Sequence, residues 1–291
     1  MARINLNLDA QRALRNLGGI NAKFGKSVER ISSGLRINRA ADDAAGLSIS
    51  ERLRSEIKGL NRAVLNSQDA LSLLQTGEGA LAEVQSILQR MRELAVQGSN
   101  DTLNSIDRGA IESELDTLKT EVDRISEATI FNSKKLLNGS NTFQFQIGTG
   151  TNTSFEVLQV NPVSTTTAII GSGTVAGAAT LSAAVVGLSS PATGGIARAT
   201  FLTLIGSLDD ALNDISTARS AFGAKVNRLD HTIRSLQVAA ESAQASESRI
   251  RDADIAVEVS EFVAQQILQQ AAISILGQAN QAPALILQLL R

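Results

Sequence analysis

The chain has no cysteine, no tryptophan and no tyrosine, and it has only one histidine and three prolines. Without cysteine there is no disulfide framework, no thiolate nucleophile and no thiolate metal ligand. A lone histidine excludes the paired-imidazole metal motifs, and no calcium-loop pattern is present. That histidine, His231, stands in an Arg-Leu-Asp-His-Thr-Ile setting that reads as an exposed helix position. The glycines near 171–177 and 194–195 are not followed by Gly-Lys-Ser/Thr, so they do not form a phosphate cradle. Asp42 and Asp43 are adjacent, face different ways at a helix start, and read as capping residues rather than a catalytic pair. The formal charge of −2 leaves no basic excess for a nucleic acid. The first residues lack the long apolar core of a secretory signal. Together these absences point away from an enzyme and from any cofactor or metal.

What is present is helical periodicity with few interruptions. Pro162, Pro191 and Pro283 all fall outside residues 44–130 and 201–260. Ala10, Leu14, Leu17, Phe24, Val28, Ile31 and Leu35 follow heptad spacing, with Asn21 at the skipped position. Gly18-Gly19 weakens this first helix, and Ser33-Gly34 ends it. After an irregular stretch to Asp42, a second helix runs from Ala44 to Gln97 through Leu53, Ile57, Leu60, Val64, Leu71 and Leu74. Its seam shifts near Gly77-Glu78-Gly79 and resumes at Leu81, Val84, Leu88, Met91 and Ala95. At 1.5 Å per residue it would approach about 80 Å. A turn at 98–101 leads to a third helix with Ile111, Leu115, Leu118, Val122 and Ile125, ended by Asn138-Gly139.

Between Leu137 and Ala197 the only charge is Glu156. Phe143, Phe145 and Ile147 alternate, as do Phe155 and Val157 after a Gly/Thr turn, which reads as a β-hairpin. Residues 161–198 are low-complexity loop or short strand. Periodicity returns at Ile205 and continues to Ala240, with Arg219 at the one polar seam position. The polar stretch Glu241 to Glu247 separates this helix from a last one beginning near Ser248. The fold read from this pattern is mainly α: an elongated antiparallel helical coiled-coil rod with a small β-hairpin and loop tip.

The last stretch, Glu261 to Arg291, carries one charge at each end and none between. Its seven glutamines make it too polar for a membrane span. It has no basic face to meet lipid headgroups, which argues against a secreted membrane-binding amphipathic protein. Yet it lacks the charged face of an ordinary surface helix. Other copies of the chain are the simplest cover for it.

Five stretches resemble bacterial flagellin in the family's order: INLNLDAQRALRNL at 4–17, VERISSGLRINRAADDAAG at 28–46, QRMRELAVQ at 89–97, ESRIRDADIA at 247–256 and LGQANQAPALILQLLR at 276–291. The resemblance implies a structural subunit of a helical filament, exported by the flagellar type III apparatus to the cell exterior. It implies three parts. Residues 1–43 with 248–291 would form an inner coiled-coil layer, 44–140 with 200–247 a helical rod, and 141–199 a hairpin and variable tip without a globular outer domain. The inner layer would assemble through Leu14, Leu17, Phe24, Val28, Ile31, Phe262, Ile267, Ile275 and Leu276. Implied partners are the chain itself, an export chaperone, the filament cap and the hook–filament junction proteins. The family's patch read by Toll-like receptor 5 falls on Arg90, Leu94 and Glu114. A hook–filament junction protein shares both ends of the pattern and is the nearest rival; the intact QRMRELAVQ and LGQANQAP stretches favour flagellin.

Overall fold

The computed structural model describes residues 7–138, 142–152, 156–161, 165 and 198–289, with side chains described to Gln281. Among them are five helices: α1 Leu8–Ser33, α2 Ala44–Gly98, α3 Ser105–Ala128, α4 Arg198–Arg251 and α5 Ile255–Leu289. Two short antiparallel strand pairs accompany them, β1 Ile130–Phe131 with β2 Lys134–Lys135 and β3 Phe143–Gln146 with β4 Val157–Val160. The fold is mainly α, as the periodicity implies. No helix among the described residues is long and apolar enough to cross a membrane.

The helix boundaries have chemical causes. Asn7 caps α1 by accepting from the Ala10 N–H at 3.0 Å, and Gly34 closes that helix in the left-handed conformation at φ 71°. Only glycine adopts that angle without a Cβ penalty. Asp43, rather than Asp42, caps α2 through the Gly46 N–H at 2.9 Å. Asn104 and Asp107 form a reciprocal capping box on α3. Asp254 caps α5 through the Ala256 N–H.

The described chain forms two compact units. Unit two, Gly59–Ala239, holds the main core. There α2 and α4 run antiparallel, with α3 against them. The core contains Leu74, Leu81, Leu88 and Met91 from α2, Leu115 and Val122 from α3, and Phe201, Leu208, Ile215 and Leu229 from α4. The seam of α2 does not shift at Gly77, contrary to the sequence reading. It passes without a break through Ser67, Ala70, Leu74, Gly77, Leu81, Val84 and Leu88, all buried. Gly77 is a core position filled from across the seam: a Cβ there would lie 2.8 Å from Phe222 Cε2. A reading that counts apolar side chains passes over a glycine whose partner supplies the bulk.

Two further boundaries move. Helix α3 ends at Ala128, ten residues before Asn138-Gly139. The tight hairpin β1–β2 follows it, turning through Asn132 and Ser133 at φ 47° and 63°. Helix α4 continues through the polar stretch 241–247 and breaks at residues 252–254. Two ion pairs to α2 hold this part of α4: Glu247 pairs with Arg54 at 3.2 Å and, just beyond the stretch, Arg251 with Glu51 at 2.6 Å. The expected hairpin is present as β3–β4, with its return strand starting at Val157; Phe155 lies outside the described residues. So does most of the low-complexity segment 161–198. The hairpin's Phe143, Ile147, Leu158 and Val160 are buried. The end of β3 leans on α2, where the Asn66 amide donates to the Gln146 carbonyl at 3.0 Å.

Candidate functional site

Unit one, Met1–Lys58 with Ala240–Arg291, brings the two ends of the chain together. Helices α1 and α5 lie antiparallel. The pairing begins at the α4–α5 break, where the Ala253 N–H donates to the Gly34 carbonyl at 2.9 Å and the Arg36 N–H to the Arg251 carbonyl at 2.7 Å. It continues through Arg30–Glu258 at 3.5 Å, stacked Phe24 and Phe262 with ring centroids 4.9 Å apart, and Gln269–Asn21 at 2.9 Å. It ends where the Asn7 side-chain amide donates to the Ala279 carbonyl at 2.8 Å.

The connection 34–43 is fastened beside this pair. Lys26 holds Asp42 at 2.9 Å, and Glu29 accepts from Asn38 and Arg39. The Lys26 ammonium, followed by the Arg39 backbone N–H, lowers the Asp42 carboxyl to about 2. The Arg251 guanidinium likewise holds Glu51 below its usual value.

The expected assembly residues divide sharply. Phe24, Leu17 and Ile31 on α1, and Phe262 and Leu276 on α5, are half-buried in the helix pair. Leu14 and Val28 on α1, and Ile267 and Ile275 on α5, are exposed. Helix α5 shows apolar side chains on both sides of its α1-facing stripe. Val259, Val263, Ile267 and Ile273 lie toward one side, and Val257, Leu268 and Ile275 toward the other. Scattered exposed hydrophobics are ordinary, but two continuous flanks on one charge-poor helix are the mark of a surface made to be covered.

The second candidate site sits where α2 and α3 run side by side. Arg90 Nη2 meets Glu114 Oε1 at 2.9 Å and Arg90 Nη1 meets Glu93 Oε2 at 3.2 Å, with all three side chains exposed. Glu114 first, then Glu93, raises the Arg90 guanidinium above its ordinary value. Leu94 is buried beneath them in the core of unit two. The turn at 98–104 thus brings Arg90 and Glu114 together, while Leu94 supports them from below. Arg92, two residues along, faces α4 instead and pairs with Asp209 at 2.6 Å.

Sequence reasoning missed Asn7, Glu258 and Arg92. Each joins segments far apart in the chain, and nothing local marks its partner. Arg219, read as the polar interruption of the α4 seam, donates to Gln85 Oε1 at 2.6 Å. His231 is exposed on α4. Among the described residues no group of three or more potential metal ligands comes together.

Comparison with known proteins agrees with this geometry. Residues 4–142 match the bacterial flagellin N-terminal helical region, and residues 205–290 match the bacterial flagellin C-terminal helical region. The chain is 46% identical to a flagellin of Halalkalibacterium halodurans over 290 residues, covering 99% of both chains. It is 41% identical to a flagellin of Bacillus subtilis over 305 residues, covering 99% of this chain and 100% of the other. A solved structure from Vibrio parahaemolyticus, assigned to flagellar hook association, shares the fold at TM-score 0.61 and 16% identity. It covers 72% of this chain and 100% of its own.

Proposed function

Because this chain belongs to the bacterial flagellin family, we propose that it is the structural subunit of a flagellar filament, an extracellular propeller built from many copies of itself. The observation that carries the reading is the pair of apolar flanks on α5, which α1 leaves uncovered. One helix partner buries one stripe; two flanks call for neighbours on two sides, as a subunit surrounded by copies of itself provides. In this reading residues 1–43 with 248–291 are the inner assembly layer, 44–140 with 200–247 the helical rod, and 141–199 the hairpin and variable tip. The same α5 flanks give an export chaperone an apolar face to hold before assembly, and the cap and hook–filament junction proteins meet the ends of the polymer. Sheared filaments test the assignment: this chain is their major component by mass, and finding it at only a few copies per filament would overturn the reading in favour of a junction role.

The exposed Arg90–Glu114 pair is the proposed contact for Toll-like receptor 5. Arginine anchors recur at interface hot spots, and truncating one costs about 2 kcal/mol or more of binding. Leu94 then acts through the packing that holds the pair. Arg90→Ala monomer is expected to bind the receptor at least tenfold more weakly, with unchanged helicity. Unchanged affinity would assign the pair to subunit contacts alone.

A further inference from the structure

Helix α5 continues as helix through Pro283 to Leu289. Proline has no backbone N–H, so residue 283 cannot donate to the carbonyl four residues back. That carbonyl belongs to Ala279. It is the same oxygen that accepts the Asn7 side-chain amide at 2.8 Å, across 272 residues of chain. The other end of the carboxamide is also engaged: Asn7 Oδ1 accepts the Ala10 N–H at 3.0 Å and caps α1. One side chain therefore supplies a missing acceptor at the start of α1 and a missing donor inside α5.

We infer that Asn7 and Pro283 act as one device, a positioning lock in which the proline frees the Ala279 carbonyl and the Asn7 amide takes it, joining the two ends of the chain. Three features give the lock a task. The pair is already fixed near Gly34 and Ala253, but Asn7 lies about 40 Å from there along α1. Between the two points the pairing rests on half-buried apolar groups and a few polar contacts. Seen from α1, only Ser27 is fully buried. Beyond Glu261 α5 has no charge before Arg291 to set how it lies against α1. Apolar seams tolerate alternative placements, and a single directional polar contact selects one of them. A helix whose internal ladder is complete offers no free carbonyl, so the proline is what makes α5 specific for Asn7. Gln269 and Asn21 join the two helices side chain to side chain; among the described residues Asn7 is the side-chain amide that takes a backbone carbonyl of α5.

The chain's lack of cysteine makes disulfide trapping a direct test. Asn21→Cys with Gln269→Cys is placed in full-length chain, polymerised, and oxidised briefly. The intramolecular product is separated from cross-subunit products by its mobility on a denaturing gel. The trapping rate is then compared in four backgrounds: unaltered, Asn7→Ser, Pro283→Ala, and both changes together. Serine keeps the N-cap acceptor but removes the amide donor. Asn7→Ser is expected to slow intramolecular trapping about threefold or more, the scale of one net hydrogen bond. In the Pro283→Ala background the restored internal N–H satisfies Ala279, so Asn7→Ser then changes the rate by less than about 1.5-fold, a non-additivity read as a double-mutant cycle. Equal slowing in both backgrounds would reduce Asn7 to a helix cap and overturn the lock. No slowing in either would overturn it as well. If Asn7→Ser does not polymerise, rescue of polymerisation by Pro283→Ala supports the lock and failure of rescue overturns it. A parent cysteine pair that itself failed to sediment would count against the filament assignment instead.

Discussion

Single residues here act mainly by closing the ends of helices and fastening loops. Asp42 shows how charge enters. Its carboxyl is held at about 2 by Lys26 and the Arg39 N–H, below the ordinary 3.8. A depressed carboxyl stabilises the fold fully above its ordinary value, and that contribution is lost as pH falls from near 3.8 through about 2. Carbon-13 titration of the Asp42 carboxyl is expected to show the low midpoint, and Lys26→Ala to move it upward; a midpoint unaffected by Lys26 would remove the pair from the account. Ser133 shows backbone cost. Its φ of 63° closes the two-residue turn of β1–β2. That hairpin turn favours Asn-Gly, and the chain has Asn132-Ser133. Ser133→Gly is expected to stabilise the fold by about 0.5–1 kcal/mol through relief of the left-handed strain, less the entropy glycine adds to the unfolded chain. A lower melting temperature would contradict that.

At the scale of elements, what the sequence made legible is the heptad seam. Leu81, Val84, Leu88 and Met91 on α2 and Leu208, Ile215 and Leu229 on α4 are all buried where spacing put them. What it hid are positions where the volume comes from across the seam or the bond from across the chain. Gly77 is silent alone and meaningful only beside Phe222. The polar stretch 241–247 reads as a separator until Glu247 is seen to pair with Arg54 and, just beyond it, Arg251 with Glu51. In the terminal pair the heptad found Phe24, but nothing local ties Asn7 to Ala279. The exposed Arg90–Glu114 pair was legible only through resemblance, since ion pairs on two helices leave no periodic trace. Two glycines of α2 test the seam directly. A Cβ at Gly79 meets nothing within 4 Å, whereas at Gly77 it meets the Phe222 ring. Gly79→Ala is expected to stabilise by up to about 1 kcal/mol, and Gly77→Ala to destabilise by about 1–3 kcal/mol through overpacking. Denaturant unfolding of both variants checks the pair, and equal shifts of one sign would contradict the placement of Gly77 in the core. Leu229→Ala, which empties a fully buried position, is expected to cost about 2–5 kcal/mol in the same assay.

For the whole molecule, the contrast between the two units carries the function. Unit two has an extensive core from three helices and two hairpins, and it accounts for most of the buried hydrophobic residues. Unit one has a helix pair whose apolar groups are largely half-buried or exposed, with Ala272 the one buried hydrophobic of α5 among the described residues. A long helix with so little tertiary cover is marginal in water. Its stability is expected to come from neighbouring copies, which ties folding of the chain ends to polymerisation. The most direct measurement is amide hydrogen exchange of residues 255–281, compared between dilute monomer and sedimented polymer of the full chain. The account predicts rapid exchange in the monomer and protection stronger by at least about a hundredfold in the polymer, with core amides of residues 81–95 protected in both. Equal protection of 255–281 in the two states would contradict the claim that other copies of the chain complete the fold of its ends.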